Sequence, residues 1–240
     1  MCSQIKAMPE LIVDRVARKE KERTILQGLS FSMAKGEKIG LMGETGSGKT
    51  TLLKIIAGLL QPSSGSVLFQ EKRVKGPDEV LLPGHPQISY LSQHFELLNN
   101  YFIEEILEMH NKISDEDALH LYQLCKIDHL MKRRTNEVSG GERQRISLAK
   151  ALISSPSLLL LDEPFSNLDG INKKIIHQVL NDIFKEQQFS CIMVSHQPDE
   201  ILQWANRLMI VKEGKLIQMD ETQAIQANPL NNYVAQIIGQ

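Results

Sequence analysis

Gly43-Glu44-Thr45-Gly46-Ser47-Gly48-Lys49-Thr50 is the stretch on which the fold turns. It fits G-x-x-x-x-G-K-[ST]. The apolar run Ile39 to Met42 precedes it and reads as a buried strand. After it, Leu52, Ile55, Ile56, Leu59 and Leu60 fall on one face of a helix. Strand, glycine loop and helix in that order make an anion cradle. The glycines let the backbone turn its N–H groups inward, and the helix N-terminus adds partial positive charge. Lys49 would reach the β and γ phosphates of a nucleotide, and the Thr50 hydroxyl would ligate Mg²⁺.

The rest of the chain frames that loop. Its 240 residues amount to one large domain or two small ones. Hydrophobic residues at 42% and charged residues at 23% exclude a disordered or fibrous chain. A net charge of −2 gives no support to a nucleic-acid protein. Pure apolar runs such as Leu158 to Leu161 fall far short of the roughly 18 residues needed to span a bilayer. No signal peptide is visible over Met1 to Val16. Cys2, Cys125 and Cys191 lack C-x-x-C spacing and read as reduced thiols. The histidines show no metal-ligand spacing.

Short apolar runs recur at 39–42, 88–91, 158–161, 192–194 and 208–211, as in strands buried on both faces of a parallel sheet. Helical periodicity between them argues for an α/β fold. Leu29, Phe31 and Met33 alternate with polar residues, and Ser66 to Gln70 reads as another short strand, so the first third is β-rich. The stretch from Lys75 to Gln87, rich in Gly and Pro, reads as an exposed loop. Residues 94–155 carry helical signals, among them a capping box from Ser114 to Asp117. The expected organisation is a nucleotide-binding core over 1–93 and 156–240, with an antiparallel β subdomain at its N-terminal end. A helical subdomain is inserted at 94–155.

Three strands end in polar residues: Ser92-Gln93, Asp162-Glu163 and Ser195-His196. In an open α/β sheet, ligands sit beyond the carboxyl ends of the strands, where the glycine loop also lies. Asp162 suits an Mg²⁺-coordinating carboxylate. Glu163 is placed to orient and deprotonate a water that attacks the γ-phosphate. His196 can donate a hydrogen bond to that phosphate as charge develops. Gln93 can bind the metal and the water. A second glycine turn, Val138-Ser139-Gly140-Gly141-Glu142-Arg143-Gln144, opens a helix and forms a second anion site. One chain with one nucleotide has no need of two.

Taken together, these motifs resemble the ATP-binding subunits of ABC transporters over nearly the whole chain. Gly43, Glu44, Thr45, Gly46, Ser47, Gly48, Lys49, Thr50 and Thr51 resemble the family's Walker A. Gln93 resembles its Q-loop glutamine, and Val138 to Gln144 its signature. Leu158 to Pro164 resembles Walker B with the catalytic Glu163, Ser166 to Asp169 the D-loop, and His196 the switch histidine. The resemblance implies a P-loop NTPase core that binds ATP and Mg²⁺, with Thr50, Gln93 and Asp162 at the metal. It implies a head-to-tail dimer, as a homodimer or with a paired ATPase subunit. Ser139, Gly140, Gly141 and Glu142 then serve the partner's ATP, and Asp169 lies at the dimer contact.

The family couples this cycle to integral membrane permease subunits, whose short helices dock beside the Q-loop. Phe95, Leu97, Leu98, Tyr101, Phe102 and Ile103 are the candidates here. A cytoplasmic, peripheral place on the cell membrane follows. The tail from Asn228 to Gly239 resembles importers of sugars, polyamines, sulfate and ferric iron, which implies import and an extracytoplasmic binding protein.

Three departures stand out. Val138 and Glu142 replace the usual Leu and Gln of the signature. No aromatic residue precedes Phe31 to stack on adenine; Arg18 or Lys19 lies near the expected place. A regulatory β domain after the tail is absent from this sequence. Two other readings exist: a non-transport ABC ATPase acting on a soluble assembly, and a small-molecule kinase, against which the signature counts. The basic run Lys132-Arg133-Arg134 reads as a solvated face.

Overall fold

The computed structural model describes residues 8–166, 168–186 and 189–240. Cys2 and Asn167 of the D-loop lie outside the described residues. In chain order the elements are β1 (Leu11–Glu20), β2 (Arg23–Met33), β3 (Lys38–Met42), α1 (Lys49–Ile56), β4 (Ser64–Phe69) and β5 (Lys72–Arg73). Next come β6 (Ile88–Leu91), α2 (Ile103–Glu108), α3 (Asp115–Leu124), α4 (Gly140–Ile153), β7 (Leu158–Asp162) and α5 (Gly170–Glu186). The chain closes with β8 (Ser190–Val194), α6 (Pro198–Leu202), β9 (Arg207–Lys212), β10 (Lys215–Glu221), α7 (Thr222–Ala227) and α8 (Asn232–Ile237). Two compact units result: Met1–His85 with Ser190–Gln240, and Pro86–Phe189.

In the first unit, β1 pairs antiparallel with both β2 and β4, and β5 adds to β4. This is the expected antiparallel subdomain. Its first hairpin is longer than the alternation at Leu29 to Met33 indicates, because β2 extends back to Arg23. A second set of strands carries the phosphate loop. β3 lies between β8 and β9 and is parallel to both; β10 closes on β9 antiparallel. Ile39 and Leu41 are fully buried, as the continuous apolar run requires. Leu52, Leu53, Ile55 and Ile56 bury the inner face of α1. That helix is shorter than its apolar pattern: Gly58 follows Ala57 in a left-handed turn (φ 74°), and Leu59 is exposed.

In the second unit, β6 and β7 are parallel, with Tyr90 opposite Leu160 and Leu91 opposite Leu161. Leu158 to Leu161 are wholly buried. Between these two strands the chain is helical, apart from an isolated bridge between Phe102 and Arg134. Ser114 caps α3: its Oγ accepts from Asp117 N at 3.1 Å and donates to the Asp117 carboxylate at 2.7 Å. The docking candidates divide. Phe95, Leu97 and Ile103 are core residues; Leu98 and Tyr101 are exposed. Phe102 is half-buried under the Arg134 guanidinium, 4.4 Å from its ring centroid. Arg134 also donates to the Asn100 carbonyl at 2.7 Å, so one of the three basic residues at 132–134 has a structural use. The loop at 75–87 presents Leu81 and Leu82 fully to solvent.

Candidate functional site

The phosphate loop bends because all three of its glycines, Gly43, Gly46 and Gly48, take conformations that side chains resist. Gly43 has φ 153°, and a Cβ there would sit 2.1 Å from the Val211 carbonyl oxygen. Gly48, the residue before α1, has φ 99° and ψ 7°. Lys49 is only 6% exposed. Its Nζ donates to the carbonyls of Gly43 and Glu44, each at 2.8 Å, and lies 3.4 Å from Ser47 Oγ. The ammonium therefore sits inside the curl of the loop, where a phosphate oxygen would meet it. Thr50 and Thr51 follow in the first turn of α1, Thr50 exposed and Thr51 half-buried. Glu44, Thr45 and Gly46 form the exposed rim.

Other segments of the same unit brace this loop. Gly214 N, in the β9–β10 turn, donates to the Ser47 carbonyl at 3.0 Å. The Tyr233 hydroxyl on α8 accepts from Glu44 N and donates to the Val211 carbonyl, both at 3.3 Å. Lys212 lies 4.4 Å from the Tyr233 ring centroid. Sequence reading missed Tyr233, since nothing local links residue 233 to residue 44. At the end of β8, Ser195 Oγ accepts from Gln197 N at 3.1 Å and donates to the buried Glu200 carboxylate at 2.5 Å. These bonds shape the turn that presents His196 to solvent.

The second unit holds the acidic pair. Asp162 ends β7 and is 2% exposed. Tyr90 Oη donates to its Oδ2 at 2.8 Å. Burial first, and then the Asp162 charge, push the phenol well above its ordinary range, so Tyr90 stays a donor. Glu163 turns out of the strand in the left-handed region (φ 53°), a strained place for a non-glycine residue. Ser166 holds this turn, with N and Oγ both donating to the Glu163 carbonyl, at 3.1 and 2.9 Å. Gln93 Nε2 donates to Glu163 Oε2 at 3.2 Å. Gln93 and Glu163, 70 positions apart in sequence, are thus brought together.

The second glycine turn is a capped helix start. Ser139 N and Oγ both donate to Glu142 Oε2 at 2.8 Å, and Ser139 Oγ accepts from Glu142 N at 3.3 Å. The Ser139 backbone N–H is the main reason the Glu142 carboxyl lies below its usual range. The Glu142 carboxylate thus takes up both the backbone N–H and the hydroxyl of Ser139. Asp169 precedes α5 and accepts from the backbone N–H of Ile171 and Asn172, at 3.0 and 2.8 Å. Those bonds, Asn172 first, hold its carboxyl low. The adenine candidates also separate: Arg18 donates to the Gln61 carbonyl at 2.8 Å, and Lys19 is exposed.

Residues 26–166 match the family model described as ABC transporter. The chain belongs to the ABC transporter family. It is one of the family's ATP-binding subunits, which are ATPases coupled to transport. Among curated relatives it is 32% identical over 243 residues to the glucose import ATP-binding protein GlcV of Saccharolobus solfataricus, covering 97% of this chain and 69% of that one. It is 34% identical over 239 residues to the Fe(3+) ions import ATP-binding protein FbpC 2 of Haemophilus influenzae, covering 97% and 67%. The ATP-binding cassette MJ1267 of an ABC transporter, in its ADP conformation, shares the fold. Its TM-score is 0.76 at 22% identity, covering 98% of this chain and all of that one. The α/β architecture and the order of motifs are those of an ABC ATPase. No helix among the described residues is long and apolar enough to cross a membrane.

Proposed function

We propose that this ABC ATPase powers import, working as a head-to-tail pair against separate membrane permease subunits on the cytoplasmic face of the membrane. The observation that carries the nucleotide chemistry is Lys49 Nζ held inside the glycine loop by the carbonyls of Gly43 and Glu44. The import direction draws support from the relatives, which are named as import ATP-binding proteins. An extracytoplasmic binding protein would hand cargo to the membrane subunits.

In this reading the core is 1–93 with 156–240, and the helical part is 94–155. The amides from Gly43 to Thr51 and the Lys49 ammonium bind the β and γ phosphates of ATP. Glu163 orients the attacking water and takes its proton. Gln93, through Nε2, fixes the carboxylate for that task. His196 donates to the γ-phosphate as charge builds. Ser139, Gly140, Gly141 and Glu142 face the partner's nucleotide, and Asp169 lies at the contact between the two subunits.

The donor set fits Mg²⁺. Thr50, Gln93 and Asp162 offer hydroxyl, amide and carboxylate oxygens, all hard ligands. The Gln93 amide nitrogen already faces Glu163, which leaves its oxygen for a cation. No group of three or more His, Cys, Asp or Glu among the described residues forms a metal cage. When bound, Mg²⁺ would supply charge neutralisation for the nucleotide's phosphates.

The test is Glu163→Gln, purified with ATP from detergent-solubilised membranes. The expected result is ATP retained without turnover, a stable dimer, and a multi-spanning membrane protein in the eluate. Turnover at the wild-type rate would refute the role of Glu163. Soluble companions alone, from an extracted membrane fraction, would overturn the transport reading.

A further inference from the structure

We infer that Tyr90 is a positioning residue for the Asp162 carboxylate, and that it sets the metal-dependent part of nucleotide binding. The inference rests on the nucleotide reading above and deepens it.

The argument begins with register. Tyr90 on β6 lies opposite Leu160 on the parallel strand β7. Leu160 and Asp162 are two apart, so they point to the same face of their strand. Asp162 is then two residue rises, about 6.6 Å, farther along. A tyrosine side chain spans about that distance from backbone to hydroxyl, and the bond that results is 2.8 Å. Serine or threonine at position 90 would stop short, and phenylalanine would carry no donor. Tyrosine has the length and the group to reach a carboxylate at the next strand's end.

The ring itself is not locked in the core. It lines a cavity of about 190 Å³ together with Ser92, Phe95, His110 and Lys150. A phenyl ring would line that cavity equally well. The hydroxyl's hydrogen bond in the structure is the one to Asp162, so the oxygen serves the carboxylate and not the packing. Holding Oδ2 restricts the rotation of the carboxylate at the end of β7. Hydrogen bonds of this kind to a metal-binding carboxylate orient it before the ion arrives, and losing one typically costs 10- to 100-fold in metal affinity.

The test compares ATP affinity with Mg²⁺ and with EDTA, by fluorescence titration of wild type and Tyr90→Phe in the Glu163→Gln background. Melting temperatures are measured first, because Phe keeps the ring and removes one oxygen. The expected result is a Mg²⁺-dependent gain in affinity that falls roughly 10-fold or more in Tyr90→Phe, with the EDTA affinity unchanged. A purely structural role would lower both affinities together and overturn the inference, as would an unchanged gain. Asp162→Asn, tested alone in the same background, supplies an arm that survives a poorly folding Phe variant: an undiminished Mg²⁺-dependent gain there would overturn the inference. In that background the Mg²⁺-dependent gain should be gone, and a fall in the remaining ATP affinity on adding Tyr90→Phe would refute action through Asp162. If wild type shows no Mg²⁺-dependent ATP binding at all, the nucleotide reading fails, and this inference falls with it.

Discussion

Gly48→Ala puts a number on the backbone of the phosphate loop. At φ 99° and ψ 7°, Gly48 lies beyond the left-handed helical well. An alanine held there is strained by about 1–3 kcal/mol. Its Cβ would stand 2.7 Å from Leu26 Cδ2 and 2.9 Å from the Ile25 carbonyl oxygen. The leucine methyl can swing aside, but the Ile25 carbonyl belongs to β2 and cannot move alone. Overpacking of this kind costs about 1–3 kcal/mol. Alanine recovers roughly 0.4–1 kcal/mol by restricting the unfolded chain. The net destabilisation is about 1–5 kcal/mol, or a fall in Tm of about 2–20 °C for a chain of this size. If the loop relieves the strain by rotating, one amide–phosphate bond is lost, worth about 1.5–3 kcal/mol. ATP affinity then falls about 10- to 100-fold.

Scanning calorimetry and titration with a fluorescent ATP analogue read both quantities. Gly170→Ala is the control, because a Cβ at the start of α5 meets open space. Its Tm should stay level or rise slightly, by less than the ~1 kcal/mol that separates Gly from Ala in a helix. A Gly48→Ala protein that melts within a degree of wild type and binds ATP equally would refute the claim that this backbone conformation builds the anion site.

Three further outcomes follow from the structure. Glu142→Gln in the Glu163→Gln background removes a negative charge from the Ser139 donors while keeping an amide that can cap α4. Dimerisation, followed by light scattering, should then need several-fold less ATP; an equal or greater requirement would show that Glu142 does not compete with phosphate. The Glu142 carboxyl is lowered on folding, so its capping contribution is complete above about pH 4.5 and lost only as pH falls through the lowered value. Dimerisation should therefore show no step from this group between pH 5 and 8. Burial pushes the Cys125 thiol up to about 12 and Cys191 well above its usual value. Neither should react with a thiol reagent at pH 8 until the protein unfolds. Native labelling at either position, mapped by mass spectrometry, would show that these segments open readily.

The glycine loop, the buried strands and the polar residues at their ends were legible in the sequence because each signal is local. A run such as Leu158 to Leu161 identifies a strand buried on both faces, and Gly48-Lys49-Thr50 marks where a loop becomes a helix. The signature turn was legible for the same reason. Apolar residues around 95–103 were a weaker signal. Composition alone does not say whether Phe95 or Leu98 faces the core, and the structure buries the first and exposes the second. Periodicity also carried the first helix too far, to Leu60, because the pattern contains no information about the left-handed turn at Gly58 that ends it.

What the sequence determined by itself was the family, the order of the motifs and the identity of the chemical groups, since short motifs encode backbone shape and side-chain chemistry together. Only the tertiary structure decided which of those groups are paired. Tyr90 reaches Asp162 through the register of two parallel strands, Gln93 meets Glu163 across 70 positions, and Tyr233 returns from the C-terminal helix to Glu44. Such pairings depend on strand register and chain return, which are properties of the folded chain as a whole, so no stretch of sequence contains them.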